Sequence, residues 1–232
     1  MQRRQRRDRN LQLGVLLLFN EICHLGLNNI PPVTLATVVS QALLYMGFID
    51  VPWSKWDVCI SGTKILKEGD YKTLFLSVIE HGDDMHLYYN MISFLIKGRT
   101  LEKKYGSINF ALLLVVLTVM TSLWYVALSV AGAKLFTDPS ILNSCAIGFS
   151  GVIFALKLIT TLENSDGYGY VQGFRVPTQY TAWAELIAIH LLVPNASFIG
   201  HLAGILAGLI YMKSPMGSLI DSFIHSLTGK VV

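Results

Sequence analysis

Six apolar runs dominate this chain, and two of them are short and go with the polar residues His86, Asn90 and His201. They cover residues 33–49, 87–96, 108–130, 147–162, 180–193 and 197–212. A bilayer core of ~30 Å needs about 20 apolar residues per helix, and a backbone in hydrocarbon must satisfy its own hydrogen bonds, so runs of this kind predict helices. Composition agrees: 53% of the 232 residues are hydrophobic and 14% charged, against about 25% charged in soluble domains. The expected fold is all-α, a polytopic membrane protein built as a six-transmembrane-helix bundle. Its expected divisions are a basic N-terminus with an interfacial segment at 1–30, the membrane domain at 31–212, and a short cytosolic tail at 213–232. A lipid bilayer is the expected surrounding, and no nucleic acid partner, cofactor or metal is expected.

Charge placement predicts orientation. Arg3, Arg4, Arg6, Arg7 and Arg9 crowd the first ten residues, and basic flanks stay cytosolic. Residues 11–27 are apolar but carry Asn20, Glu21 and His24 and run into Pro31-Pro32. That pattern is not a cleavable signal and predicts an interfacial or partly buried helix. Counting spans from a cytosolic N-terminus places 97–104, 165–175 and the C-terminus in the cytosol. Residues 50–84, 131–146 and the turn Pro194-Asn195-Ala196 then lie on the other side. Cys23, Cys59 and Cys145 have no metal or redox spacing, and no disulfide framework is expected, although Cys59 and Cys145 both fall on the non-cytosolic side.

Three polar groups inside the apolar runs carry the chemistry. Gly148-Phe149-Ser150-Gly151 opens the fourth run, where free N–H groups and the positive end of the helix dipole can stabilise a developing oxyanion beside the Ser150 hydroxyl. The structural alternative is a serine that merely bonds its own helix among small packing residues. His201, in Gly200-His201-Leu202-Ala203-Gly204, is costly in lipid without a polar partner. It lies at nearly the same depth as Ser150, and small residues (Gly148, Gly151 and Ala155 facing Gly200, Gly204 and Gly208) let the two helices touch. A hydroxyl beside an imidazole is the minimal nucleophile and base.

The third group is His81…His86…Asn90 at the start of the second run. His86 and Asn90, four apart, share a helix face and can donate to an oxyanion. A metal reading fails on spacing: HxxxxH splits the imidazoles between faces and lacks the HExxH glutamate. Lys157 is ~10 Å along the helix from Ser150, too far to be its base, and is expected to snorkel to the cytosolic interface. Glu185 and His190 are expected to make buried structural hydrogen bonds.

Together these motifs resemble the rhomboid family of intramembrane serine proteases, as does Leu101-Glu102-Lys103-Lys104-Tyr105-Gly106-Ser107, which is similar to the family's ExRxGS loop. The resemblance implies Ser150 as nucleophile, His201 as general base, and His86, Asn90 and the Phe149 and Ser150 amides as oxyanion donors. His81, Gly148, Gly151, Phe154 and Gly204 become supporting residues. Phe154 stands where many members have a tyrosine stacked on the base, and Tyr71-Lys72 where members have Trp-Arg.

Residues 28–37 and Ala188-Ile189-His190-Leu191 resemble a branch of the family in the endoplasmic reticulum. The resemblance implies cleavage of transmembrane or unstable membrane proteins near the lumenal face, in protein quality control. That branch recruits ubiquitin and a segregase through a longer tail; residues 213–232 are expected to be too short for it. The competing function is a non-catalytic, derlin-like binder of membrane clients, although such relatives lack the Ser-His dyad. A transporter is disfavoured, because no repeat symmetry or paired broken helices suggest alternating access.

Overall fold

The computed structural model describes residues 12–193 and 196–229. The arginine run, Pro194 and Asn195 of the expected sequon turn, and residues 230–232 lie outside them. Among the described residues the chain is mostly helical: α1 (Leu13–Leu25), α2 (Pro32–Tyr45), α3 (Gly62–Leu66), α4 (Thr73–Leu76), α5 (Asp84–Tyr105), α6 (Ser107–Leu135), α7 (Ser150–Glu163), α8 (Thr181–Leu192), α9 (Phe198–Lys213) and α10 (Pro215–Thr228). A hairpin of β1 (Tyr168–Val171) and β2 (Phe174–Pro177) joins α7 to α8.

The apolar runs become α2 and α5–α9, but several boundaries move. Residues 97–104, expected as a loop, continue α5 to Tyr105, because nothing in Leu101-Glu102-Lys103-Lys104 breaks a helix before Gly106, whose φ of 80° ends it. The loop expected at 165–175 contains the hairpin, and the tail expected at 213–232 contains α10, bent 79° from α9 after Ser214. Among the described residues only α6, of 29 residues, is long and apolar enough alone to cross a bilayer, and the bent α9–α10 pair would make a second. Helices of 12–16 residues such as α2, α7, α8 and α9 fall short of the ~20 a span needs, so length does not establish six spans.

Of the two expectations for residues 11–27 the partly buried helix is the one seen, since α1 runs alongside α5 with one face buried. The Gly14 amide donates to Asp84 at the start of α5 (3.0 Å), and Arg99 near its end donates to the carbonyl of Asn29, just beyond α1 (3.2 Å). Gly14, Val15 and Leu18 make the buried stripe. Tyr45, at the end of α2, donates to Gln12, so the described chain begins at the end of the bundle where α5 and α7 start, whereas α9 finishes at the opposite end.

Two packing features set the core. Glu102, buried on α5, accepts from the Val33 and Thr34 amides and the Thr34 hydroxyl at 2.7–2.9 Å, capping the N-terminus of α2 from outside its own sequence. Meanwhile α7 and α9 meet backbone to backbone: a Cβ on Gly204 would run into the Gly151 carbonyl, and one on Gly208 would lie 2.7 Å from the Ala155 carbonyl. Gly204→Ala is therefore expected to lower the melting temperature in detergent, at a cost of order 1–3 kcal/mol. Gly132→Ala on α6, whose Cβ would sit 3.5 Å from an Ile141 methyl, is the control and should leave it unchanged or raise it.

Candidate active site

Ser150 is the first residue of α7 and His201 the fourth of α9. The helix thus begins at the serine rather than one turn before it, since Gly148 at φ 118° keeps the preceding strand of chain out of helical geometry. Gly204 against Gly151 fixes the distance between the two helices, and the Ser150 Oγ and His201 Nε2 lie 3.0 Å apart. His201 is buried and Phe154 stacks on it, with ring centroids 4.6 Å apart at 29°.

Gly148 and Phe149 shape the approach. The Gly148 amide donates to the Ser77 carbonyl (2.8 Å), and Phe149 is buried edge-on against Phe94, centroids 5.1 Å apart. A Cβ at Gly148 would lie 2.8 Å from His86 Nε2 and 3.7 Å from Asn90 Nδ2. Glycine is required there on two counts, the positive φ and the space. The bare backbone leaves room between the two side chains and the serine loop.

His86 Nδ1 accepts from the Gly82 amide (3.3 Å). Its Nε2 therefore carries the hydrogen in the neutral ring, on the side of Gly148. Asn90 spends one amide hydrogen on the His86 carbonyl (2.9 Å) and keeps the other. His81 is buried and touches His86 edge-on at 5.2 Å, and neither of its nitrogens has a hydrogen-bond partner among the described residues. Burial, then the neighbouring His86, holds His81 well below the ordinary imidazole range, so it stays neutral. No group of three or more His, Cys, Asp or Glu among the described residues is placed to hold a metal.

Two expectations need correction. Lys157 does not snorkel: it pairs with Glu185 across α7 and α8, because two half-buried opposite charges at one level satisfy each other more cheaply than either reaching water. Cys59 and Cys145 form a disulfide, Cα atoms 5.5 Å apart. Beside it Ile60 and Ala146 exchange backbone hydrogen bonds at 2.9 Å, tying the segment after α2 to the one that leads into Ser150. Their 86-residue separation gave no spacing signal, and only their shared side of the bundle hinted at pairing. In Tyr71-Lys72 the tyrosine is exposed and Lys72 pairs with Asp70.

A membrane-embedded bundle with a serine and a histidine joined at a helix N-terminus is the arrangement of the rhomboid class, and the Rhomboid domain family matches residues 68–214. The chain belongs to the rhomboid family. It is 43% identical over 219 residues to Rhomboid-related protein 4 of Rattus norvegicus, covering 94% of this chain and 68% of that one. Rhomboid-like protein 14, mitochondrial, of Arabidopsis thaliana is 44% identical over 188 residues, 79% of this chain and 56% of that one. Rhomboid-type serine protease 2 of Yarrowia lipolytica is 22% identical over 191 residues, 82% of this chain and 62% of that one. No solved structure matches the chain.

The disulfide is directly testable. Of the three cysteines, Cys23 is free and exposed, so denatured protein should take up one maleimide before reduction and three after it, counted by mass. Three before reduction would show that Cys59 and Cys145 are unpaired.

Proposed function

We propose that this protein is an intramembrane serine endopeptidase, and the observation that carries the proposal is the 3.0 Å contact of Ser150 Oγ with His201 Nε2 at the start of α7. In this reading His201 takes the hydroxyl proton as Ser150 attacks a peptide carbonyl. The tetrahedral oxyanion lies where His86 Nε2, the free Asn90 hydrogen and the Phe149 and Ser150 amides converge. His201 then returns the proton to the leaving amine, and water hydrolyses the acyl-enzyme by the same base. Substrates are transmembrane or unstable membrane proteins.

The bilayer reading takes α2 and α5–α9 as six crossing helices, with the short ones meeting water at the end that holds the site. A disulfide at that end favours an oxidising lumen. Lys103, Lys104 and Lys213, at the ends of α5 and α9, favour cytosol at the other. The proposed location is the endoplasmic reticulum membrane, in protein quality control. A side for the first eleven residues is not part of the proposal, because α1 starts at the end that holds the site.

Purified protein should cut a single-span test substrate in detergent, and Ser150→Ala should abolish cutting while leaving substrate binding and melting temperature unchanged. His201→Gln should also be inactive, since glutamine cannot accept the proton. Wild-type turnover by either variant would refute the assignment, and binding without cutting by the wild type would favour the client-binding alternative.

Asn90→Ala and His86→Ala should each lower kcat by ~10²–10³. A fall only in proportion to the folded fraction would make them structural.

Orientation and compartment are tested together by sequons in exposed loops. Glu68→Asn with Asp70→Thr, on the site side, should be glycosylated in microsomes, whereas Asp166→Thr, which completes a sequon at Asn164 on the opposite side, should not. Reversal would put the site in the cytosol, and modification of neither would point away from the endoplasmic reticulum.

A further inference from the structure

Two polar atoms of the site have no role in the mechanism above. His201 turns Nε2 to Ser150, and its Nδ1 is buried with no hydrogen-bond partner among the described residues. For Nε2 to accept the serine proton the neutral ring must carry its own hydrogen on Nδ1, so this atom is a buried donor. Buried donors are seldom left unpaired, because desolvation without a partner is costly. The complementary atom is on α8: His190 Nε2 is also buried and also without a partner among the described residues. The His190 and His201 rings are 5.5 Å apart between centroids and tilted by 46°, and Phe198 holds His190 edge-on at 5.0 Å. The two nitrogens are not bonded to each other as placed, and at that ring separation a rotation of either ring, or a single water, joins them.

We propose that His190 is the third member of the catalytic unit, a positioning residue whose Nε2 accepts the Nδ1 hydrogen of His201 and so holds the base in the tautomer that faces Ser150. The inference rests on the protease reading. Its chemical logic is that of a serine triad, in which a partner behind the imidazole fixes tautomer and orientation. A neutral imidazole does this without placing an unpaired carboxylate in hydrocarbon, where it would be costly. Because His190 rides on α8, which the Lys157–Glu185 pair links to α7, the base is oriented only while α8 is docked. An α8 that swung outward would leave Ser150 beside an imidazole free to turn.

The test compares wild type, Ser150→Ala, His190→Phe and His190→Gln as purified full chains, measuring kcat and KM on a fluorogenic transmembrane peptide, together with melting temperature. Phenylalanine keeps the ring contacts and removes the acceptor; kcat should fall about 10- to 100-fold, the usual effect of losing a partner behind an imidazole, with KM and melting temperature unchanged. Glutamine keeps an acceptor and should recover most of the loss. Wild-type kcat in His190→Phe, or equal losses in both variants accompanied by a lower melting temperature, would overturn the proposal. Full activity in Ser150→Ala would instead overturn the protease reading. A readout independent of turnover is the ring ¹⁵N spectrum of labelled histidines: one Nδ1–H tautomer for His201 in wild type, and a mixture in His190→Phe. A mixture already in wild type would refute the hydrogen bond even if the protein cleaved nothing.

Discussion

The contact on which the rest of this structure depends is the backbone approach of α7 and α9 at Gly151 and Gly204. In lipid there is no hydrophobic drive to bring two apolar helices together, so association rests on packing and polar bonds, and small residues permit the closest packing. Here they also set a chemical distance. With Gly204 pressed on the Gly151 carbonyl, residues one turn or less away, Ser150 and His201, arrive at 3.0 Å. Separating the helices by even one methyl would carry that hydrogen bond past the ordinary range of about 2.7–3.2 Å.

A helix contact alone does not orient the serine, because Ser150 is the first residue of its helix and the chain before it is irregular. That chain is held at three points: the Cys59–Cys145 disulfide, the Ile60–Ala146 bridge and the Gly148 amide on Ser77. All three anchor it to the segment between α2 and α5. The same segment delivers His81 and Gly82 to the ring of His86. One length of chain between α2 and α5 thus positions both the Ser150 loop and the imidazole opposite it. At the far end Glu102 ties α5 to α2, Tyr105 with Glu163 ties α5 to α7, and Tyr211 with Asp221 ties α9 to α10, which leaves the site end shaped by its loops.

What the sequence disclosed follows from which interactions are local. Continuous apolar runs located α2 and α5–α9 to within a few residues at most ends, and equal depth with matched glycines singled out Ser150 and His201. Missed features depend on partners distant in sequence. Glu102 reads as one more charge in Leu101-Glu102-Lys103-Lys104 until Val33 and Thr34 are folded against it. Lys157 and Glu185 look like two separate costs until their helices face each other. The extension of α5 to Tyr105 was hidden for another reason: hydropathy marks where a helix is apolar, not where it stops, and charged residues continue a helix well. Residues 11–27 admit both an interfacial and a partly buried helix for a related reason: Asn20 and Glu21 suggest a surface helix, yet both are off the Gly14, Val15, Leu18 stripe that packs on α5.

The short helices and the polar site are linked. At ~1.5 Å per residue the 14 residues of α7 cover about 21 Å, well under the ~30 Å of a hydrocarbon core. A serine placed at the first residue of such a helix lies below the nominal surface, yet nothing helical stands above it to exclude water. The proposed hydrolysis would need water at that depth in the proposed bilayer placement, and the imidazoles of His81, His86 and His201 need an environment in which they are tolerated. A longer α7 would bury Ser150 in mid-helix, where its neighbouring N–H groups would be spent on the preceding turn and no oxyanion could use them. Truncation of the helix at Ser150 therefore supplies together three requirements of the proposed reaction: depth, water, and unspent backbone donors.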